Sequence, residues 1–168
     1  THNYENIMAC LLVIKEFGLN KEAIKKVLAN FGGVEHRLEL AKVSNGIAYY
    51  NDSKSTNPVS TITALKSFET PLLLILGGME RNQDFYDLKD YVSCVKHIYA
   101  IGETRERIAK FAQDMNIPYT TKEYLKEIME DIKNDVVSGD TVLLSPASAS
   151  WDQYDKFETR GDEFKKLI

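Results

Sequence analysis

Apolar residues recur at helical spacing at the start of the chain. Ile7, Cys10, Leu11, Ile14 and Phe17 fall on one face, and Ile24, Val27, Leu28 and Phe31 on a second. Asn3 and Asn20 are good N-caps for two helices, Gly18 closes the first and Gly32-Gly33 ends the second. This hairpin over residues 1–33 has little else to pack on, so its apolar faces are expected to belong against a preceding domain. After a linker from Gly32 to Arg37 the rhythm changes. Leu38–Val43 and Ile47–Asn51 flank Ser44-Asn45-Gly46, and an Asn-Gly between two apolar runs is the strongest short hairpin signal.

Strands and helices then alternate. Leu72–Leu76 is an unbroken apolar run stopped by Gly77-Gly78, and His97–Ile101 is stopped by Gly102. Ile117–Thr120 is a short strand, and Thr141–Ser145 a buried one that follows the Gly139-Asp140 turn. Val59–Phe68, Tyr86–Val95, Arg105–Met115 and Lys122–Lys133 read as helices, and the polar segment Pro146–Gly161 leads to a terminal helix. Unbroken apolar strands between helices predict an α/β fold in three layers, its mostly parallel sheet covered on both faces. The first hairpin adds an antiparallel edge. Residues 34–168 are long enough to hold a complete core of their own.

One joint stands out. Asn51-Asp52-Ser53-Lys54-Ser55-Thr56-Asn57-Pro58 links the strand ending at Asn51 to the helix opening at Val59, with Pro58 at its first turn and Asn57 as its cap. The plain reading is a solvated turn with a capping asparagine. One acid, one lysine and three hydroxyls on a single strand-to-helix joint point instead to a site, because α/β proteins keep their chemistry at the carboxyl ends of strands.

Composition narrows the classes. With 168 residues, 43% hydrophobic and 27% charged, the chain has the make-up of an ordinary globular protein. A formal charge of −4 gives no footprint for nucleic acid or an anionic membrane. No apolar run approaches the ~20 residues of a membrane span, and no signal peptide opens the chain. Cys10 and Cys94 sit in helical patterns and read as reduced core residues, which fits a cytoplasmic compartment. The chain opens at Thr1 inside a helix start, which reads as a piece of something longer.

The remaining loops offer less specific chemistry. Gly77-Gly78 is either a tight turn or a place where a ligand or another backbone comes close. Ser145 to Phe157 is either a helix cap with core aromatics or a small polar pocket with an aromatic wall. Gly102-Glu103 reads as structural. There is no G-x-G-x-x-G, no G-x-x-x-x-G-K-[ST] and no nucleophile elbow. Histidines at 2, 36 and 97 are too scattered for a metal site built by this chain alone.

Six ordered motifs together resemble the Mur ligase family. They are His2-Asn3-Tyr4-Glu5-Asn6, Gly33-x-x-His36-Arg37-x-Glu39, Asn51 to Asn57, Gly77-Gly78, Leu143 to Ser150 with Asp152, and Phe157-x-x-Arg160-Gly161. The N-D-S-K-x-T-N form resembles the D-glutamate-adding branch, and the D-N-P-R-type segment of sibling ligases is absent. The resemblance implies that 1–33 are the last helices of a central ATP-binding domain and 34–168 a Rossmann-like C-terminal domain. It implies an ATP-dependent acid–amino-acid ligase that adds D-glutamate to UDP-N-acetylmuramoyl-L-alanine through an acyl phosphate. That step belongs to peptidoglycan precursor synthesis, and so to cell wall biogenesis, cell shape and cell division. Magnesium ligands and the phosphate loop are expected in the central domain, so this chain alone is expected to be inactive.

By the same resemblance, Asn3, Asn6, Arg37 and Asp52 border the nucleotide, Asn6 at adenine and Asp52 at the ribose hydroxyls. Lys54, Thr56, Arg81, Ser150 and Phe157 would surround D-glutamate, and Trp151, where relatives carry leucine, would add its backbone amide. Arg81 replaces a lysine of the family and can grip a carboxylate bidentately. None of these residues is expected to be catalytic in its own right. The alternatives are another amino-acid-adding ligase of the same superfamily, a non-catalytic nucleotide-binding module, or a purely structural interaction domain.

Overall fold

The computed structural model describes residues 2–18 and 20–168, with side chains from Asn6 onward. It divides into two compact units, Thr1–Gly33 and Val34–Ile168. The first holds α1 (His2–Glu16) and α2 (Lys21–Asn30). Asn20 caps α2 as expected, its side chain accepting the Glu22 amide. Asn3 is no N-cap, because α1 already begins at His2, and its side chain lies outside the described residues. No residue of α2 is buried, and Met8, Leu12, Val13, Phe17, Val27, Leu28 and Phe31 are exposed. Cys10 is exposed too, and so is not the core residue its apolar neighbours promised, whereas Cys94 is half-buried and packs against the core. Apolar spacing marks a face but does not supply its cover. Among the described residues no helix is long and apolar enough to cross a membrane.

The second unit opens with the hairpin, β1 (Glu39–Ser44) and β2 (Ile47–Asn51). Asn45 and Gly46 turn it at φ 53° and 76°, the left-handed pair that a two-residue hairpin requires. Then follow α3 (Pro58–Leu65), β3 (Leu72–Gly77), a 3-10 helix (Phe85–Tyr91), β4 (Val95–Ile101) and α4 (Arg105–Asp114). The chain ends with β5 (Tyr119–Thr121), α5 (Leu125–Asp135), β6 (Thr141–Leu144) and α6 (Phe157–Leu167). The six strands lie in the order β1-β2-β6-β3-β4-β5, all neighbours parallel except β1 with β2.

The pleat explains the unbroken apolar runs. Leu72, Leu74 and Leu76 point to one face, into a cluster with Leu65, Phe85, Leu88, Ile108 and Phe111. Leu73 and Ile75 point to the other, into a cluster with Leu125, Ile128, Ile132 and Phe164. All of β3 from Leu72 to Leu76 is fully buried, at ~1.5–3 kcal/mol for each such side chain. Two expected helices differ. Tyr86–Val95 is instead the 3-10 helix, whose buried residues, Phe85 and Leu88, are three apart and so eclipse at three residues per turn. Lys122 still belongs with β5, its amide donating to Ala100 O, so α5 starts only at Leu125.

The loops after β2, β3 and β6 meet at one buried group. Arg160, on α6, is 1% exposed. Its Nε donates to Ser53 Oγ at 3.0 Å, its Nη2 to Ser53 O at 2.9 Å and to Ser148 O at 3.1 Å, and its Nη1 more weakly to Gly77 O at 3.5 Å. Burial pulls the guanidinium pKa down to about 10, against the pull of Asp152, so it stays charged at neutral pH. Gly161 beside it lets α6 seat closely, since a Cβ there would collide with His36 and stand 3.0 Å from the Asn51 amide.

Arg160→Met is expected to lower the unfolding free energy of the 168-residue chain by about 2–6 kcal/mol, since the two carbonyls it bonds closely, Ser53 O and Ser148 O, lose that donor at ~1–3 kcal/mol each; a urea titration followed by circular dichroism checks it. In hydrogen exchange, α2 amides are expected to exchange at least ~100-fold faster than those of β3, because α2 buries nothing and β3 is covered on both faces.

Candidate functional site

The polar joint after β2 is sorted into an inner and an outer set. Asn51, Asp52, Ser53 and Ser55 are buried, Lys54 is exposed and Thr56 half-buried. Asn51 Oδ1 accepts the Ser53 amide at 3.2 Å, and its Nδ2 donates to Glu39 Oε2 at 3.1 Å and to His36 Nδ1 at 2.9 Å. The Lys54 amide donates to His36 O at 3.1 Å, and Ser53 Oγ to Phe157 O at 2.8 Å. Asn57 accepts the Ser60 amide, the cap expected for α3. The loop is thus tied to the linker before β1 and to the start of α6, and its free side chains are Lys54 and Thr56.

Asp52 belongs to the inner set. It is 2% exposed. Oδ2 accepts from Ser55 Oγ at 2.6 Å and from Ser145 Oγ at 2.7 Å, and Oδ1 from the Leu38 amide at 3.1 Å. Burial raises its pKa, while those hydrogen bonds and the nearby charge of Arg37 hold the rise back. Its first task is therefore to fix the joint against β6 and the linker. Arg37 itself is exposed beside it. Asn6 is exposed on α1, in the first unit.

The outer set meets two other loops. Lys54 Nζ stands 5.2 Å from the centre of the Phe157 ring, and Arg81 Cζ 5.6 Å from that of Trp151, which is 61% exposed. A cleft of about 350 Å³ is lined by Thr56, Asn57, Arg81, Gln83 and Ala149. So two residues read from sequence as D-glutamate contacts, Thr56 and Arg81, share a cleft; of the other four, Lys54 is on the loop of Thr56, Ser150 and Trp151 follow β6, and Phe157 opens α6. Ser150 is buried at the turn after β6, its carbonyl accepting the amides of Gln153 at 3.1 Å and Tyr154 at 2.8 Å. Each cation rests on an aromatic face, Arg81 on Trp151 of the segment after β6 and Lys54 on Phe157 at the start of α6, which limits its motion.

Gly77-Gly78 is a place of close backbone approach. A Cβ on Gly77 would collide with the Ile101 carbonyl, and one on Gly78 with the Ala149 carbonyl. Met79 N donates to that same Ala149 O at 2.9 Å, and Gly77 N to Pro146 O at 2.8 Å, so the pair seams the β3 loop to the β6 loop. Sequence reading passed over a second cleft. Gly102, Glu103, Arg105, Glu123, Tyr124, Asp152, Gln153, Tyr154 and Glu163 line about 380 Å³ beyond β4 and β5. Its charged residues are four acids against Arg105, and an anionic ligand would go to the Arg81 side.

Glu35, His36 and Asp162 bring one possible ligand atom each within 4.8 Å, a grouping that sequence spacing hid because Asp162 comes from α6. It does not fit a metal. The Asn51 amide nitrogen donates to His36 Nδ1, which leaves the proton on Nε2, the atom that faces Asp162 at 3.8 Å and Glu35 at 4.0 Å. Lys165 Nζ already serves the two carboxylates, 2.5 Å from Glu35 Oε1 and 3.3 Å from Asp162 Oδ1.

Known proteins resemble this chain in sequence and in fold. Residues 36–148 match the family "Mur ligase, glutamate ligase domain". The UDP-N-acetylmuramoylalanine--D-glutamate ligase of Leuconostoc citreum is 47% identical over 163 residues, 97% of this chain and 36% of that protein. The enzyme of the same name from Exiguobacterium sibiricum is 44% identical over 167 residues, 99% of this chain and 37% of that one. This chain therefore spans a little over a third of the length of these relatives. In fold it is similar to the UDP-N-acetylmuramate-alanine ligase of Thermotoga maritima, with TM-score 0.74 at 17% identity over 98% of this chain and 37% of that one. It is also similar to the MurF ligase of Thermotoga maritima solved with ADP, with TM-score 0.62 at 20% identity over 96% of this chain and 37% of the other. With the family's domain covering residues 36–148 and the motif-bearing loops gathered round one cleft, the chain belongs to the Mur ligase family.

Proposed function

We propose that this chain is the D-glutamate- and nucleotide-facing part of a cytoplasmic, ATP-dependent ligase that adds D-glutamate to UDP-N-acetylmuramoyl-L-alanine in peptidoglycan precursor synthesis. The observation that carries the reading is the cleft that Thr56 and Arg81 line together, with Arg81 over the Trp151 ring and Lys54, from the same loop as Thr56, over the Phe157 ring. The names of the relatives at 47% and 44% identity support the same substrate. The overall reaction takes a phosphoryl group from ATP onto the acceptor's carboxylate. The amine of D-glutamate then attacks the acyl phosphate, and phosphate leaves as the amide forms.

This chain's residues would act mainly by positioning. Arg81 and Lys54 hold the carboxylates of D-glutamate, Arg81 bidentately, while the Thr56 hydroxyl and the Trp151 amide orient the molecule. Fixed positive charge beside the amine also disfavours its ammonium form, which keeps the nucleophile's lone pair free. Arg37 and Asp52 face the nucleotide from the other side of the loop, Asp52 through the Oδ1 atom that serves only the Leu38 amide. Asn3 and Asn6 belong to the same nucleotide set. Residues 1–33 are the last helices of the ATP-binding domain, whose remainder supplies the phosphate loop and the ligands of Mg2+. That ion would neutralise phosphate charge, and the cleft, whose lining holds Arg81 and no carboxylate, does not fit it.

In the full-length protein carrying this chain, Lys54→Ala and Arg81→Ala are each expected to raise the KM for D-glutamate about 10- to 150-fold, the value of one charge-assisted hydrogen bond. The KM for ATP should stay nearly constant, and Arg81→Lys should retain more activity than Arg81→Ala. Steady-state kinetics in both substrates check this, and an unchanged D-glutamate KM in both alanine variants would sink the placement. Arg37→Ala should show the reverse split, with ATP the substrate affected. The 168 residues alone should form no ligated product from ATP, D-glutamate and the acceptor, since they contain no G-x-x-x-x-G-K-[ST] loop.

A further inference from the structure

The segment Met79–Gln83 leaves β3 without regular structure, and Asn82 within it lies in the left-handed region at φ 56°. Side chains hold it in place. Gln83 Oε1 accepts the backbone amide of Arg81 at 2.8 Å. Gln83 Nε2 donates to Met79 O at 3.1 Å and to Ser148 Oγ, on the loop after β6, at 2.7 Å. From α4, Arg107 Nη2 donates to Gln83 O and its Nη1 to Glu80 Oε1, both at 2.7 Å. Among the described residues, Gln83 is the side chain that bonds both to the Arg81 backbone and to the β6 loop, and it lines the cleft beside Arg81.

Resting on the D-glutamate reading above, we infer that Gln83 is a positioning residue, one that fixes where Arg81 stands against Ser148, Ala149 and Ser150 and so sets the affinity for the substrate carboxylate. Arg81 is a long, exposed side chain, and its charge is useful only in one place. Trp151 restrains its head, and Gln83 restrains its backbone. An anion that binds a cation already held in position loses less freedom on binding.

A double-mutant cycle in the full-length protein tests this. Gln83→Met keeps the side chain's length and removes its bonds to Arg81, Met79 and Ser148. It is expected to raise the KM for D-glutamate about 10-fold and leave the KM for ATP unchanged. In an Arg81→Ala background it should add less than about 2-fold, since a residue that acts through Arg81 then has nothing to position. Ser148→Ala removes only the far bond. It should repeat the pattern at a smaller factor, which keeps the question answerable if Gln83→Met does not fold. Equal factors with and without Arg81, or two silent variants beside an effective Arg81→Ala, overturn the role of Gln83 alone. A silent Arg81→Ala overturns the reading of the cleft and the role of Gln83 with it.

Discussion

The buried guanidinium of Arg160 is the constraint on which the carboxyl-end loops depend. A charge at 1% exposure is tolerated only where its donors are met, and here they are met by carbonyls and a hydroxyl rather than by a carboxylate. Each acceptor belongs to a different loop or to the strand end between them: Ser53 after β2, Gly77 at the end of β3, Ser148 after β6. The loops cannot shift independently without stranding part of that charge. Gly77 and Gly78 are the steric side of the same constraint, because side chains there would push the β4 backbone and the β6 loop away.

What the loops then present follows from which side chains the knot uses up. Asn51, Asp52, Ser53 and Ser55 face inward and satisfy one another, the linker and α6. Lys54 and Thr56 are left outside, and Arg81 and Trp151 arrive from neighbouring strands. A cleft whose charged residue is Arg81 thus forms on a chain whose formal charge is negative in total, with a second cleft beyond β4 and β5 whose charged residues are mostly acidic. Charge is thus separated by loop, which the net charge does not report.

Much of the fold was legible in the sequence. β3 could be read because a strand buried on both faces shows an unbroken apolar run, and the hairpin because Asn45-Gly46 fits left-handed geometry. Asn20 and Asn57 announced helix starts by local hydrogen bonds. The misreadings share one cause. Helix type over Phe85–Tyr91, the late start of α5 and the exposure of Cys10 depend on what packs opposite, and periodicity does not report that.

The site divides in the same way. The sequence by itself determined the residue types on each strand-end loop and, through six spaced motifs, the family. It could not say which polar residues of Asn51 to Asn57 were free, since all look alike to composition. Tertiary structure decided that Asp52 is a braced carboxylate bonded at both oxygens and Lys54 an exposed cation, because Ser55, Ser145 and Leu38 reach the first and the Phe157 ring underlies the second. It also decided the roles of Gln83 and Arg160. Their bonds run to residues 65 and 107 positions away, and sequence records no such distance until the strand order β2-β6-β3 brings the loops side by side.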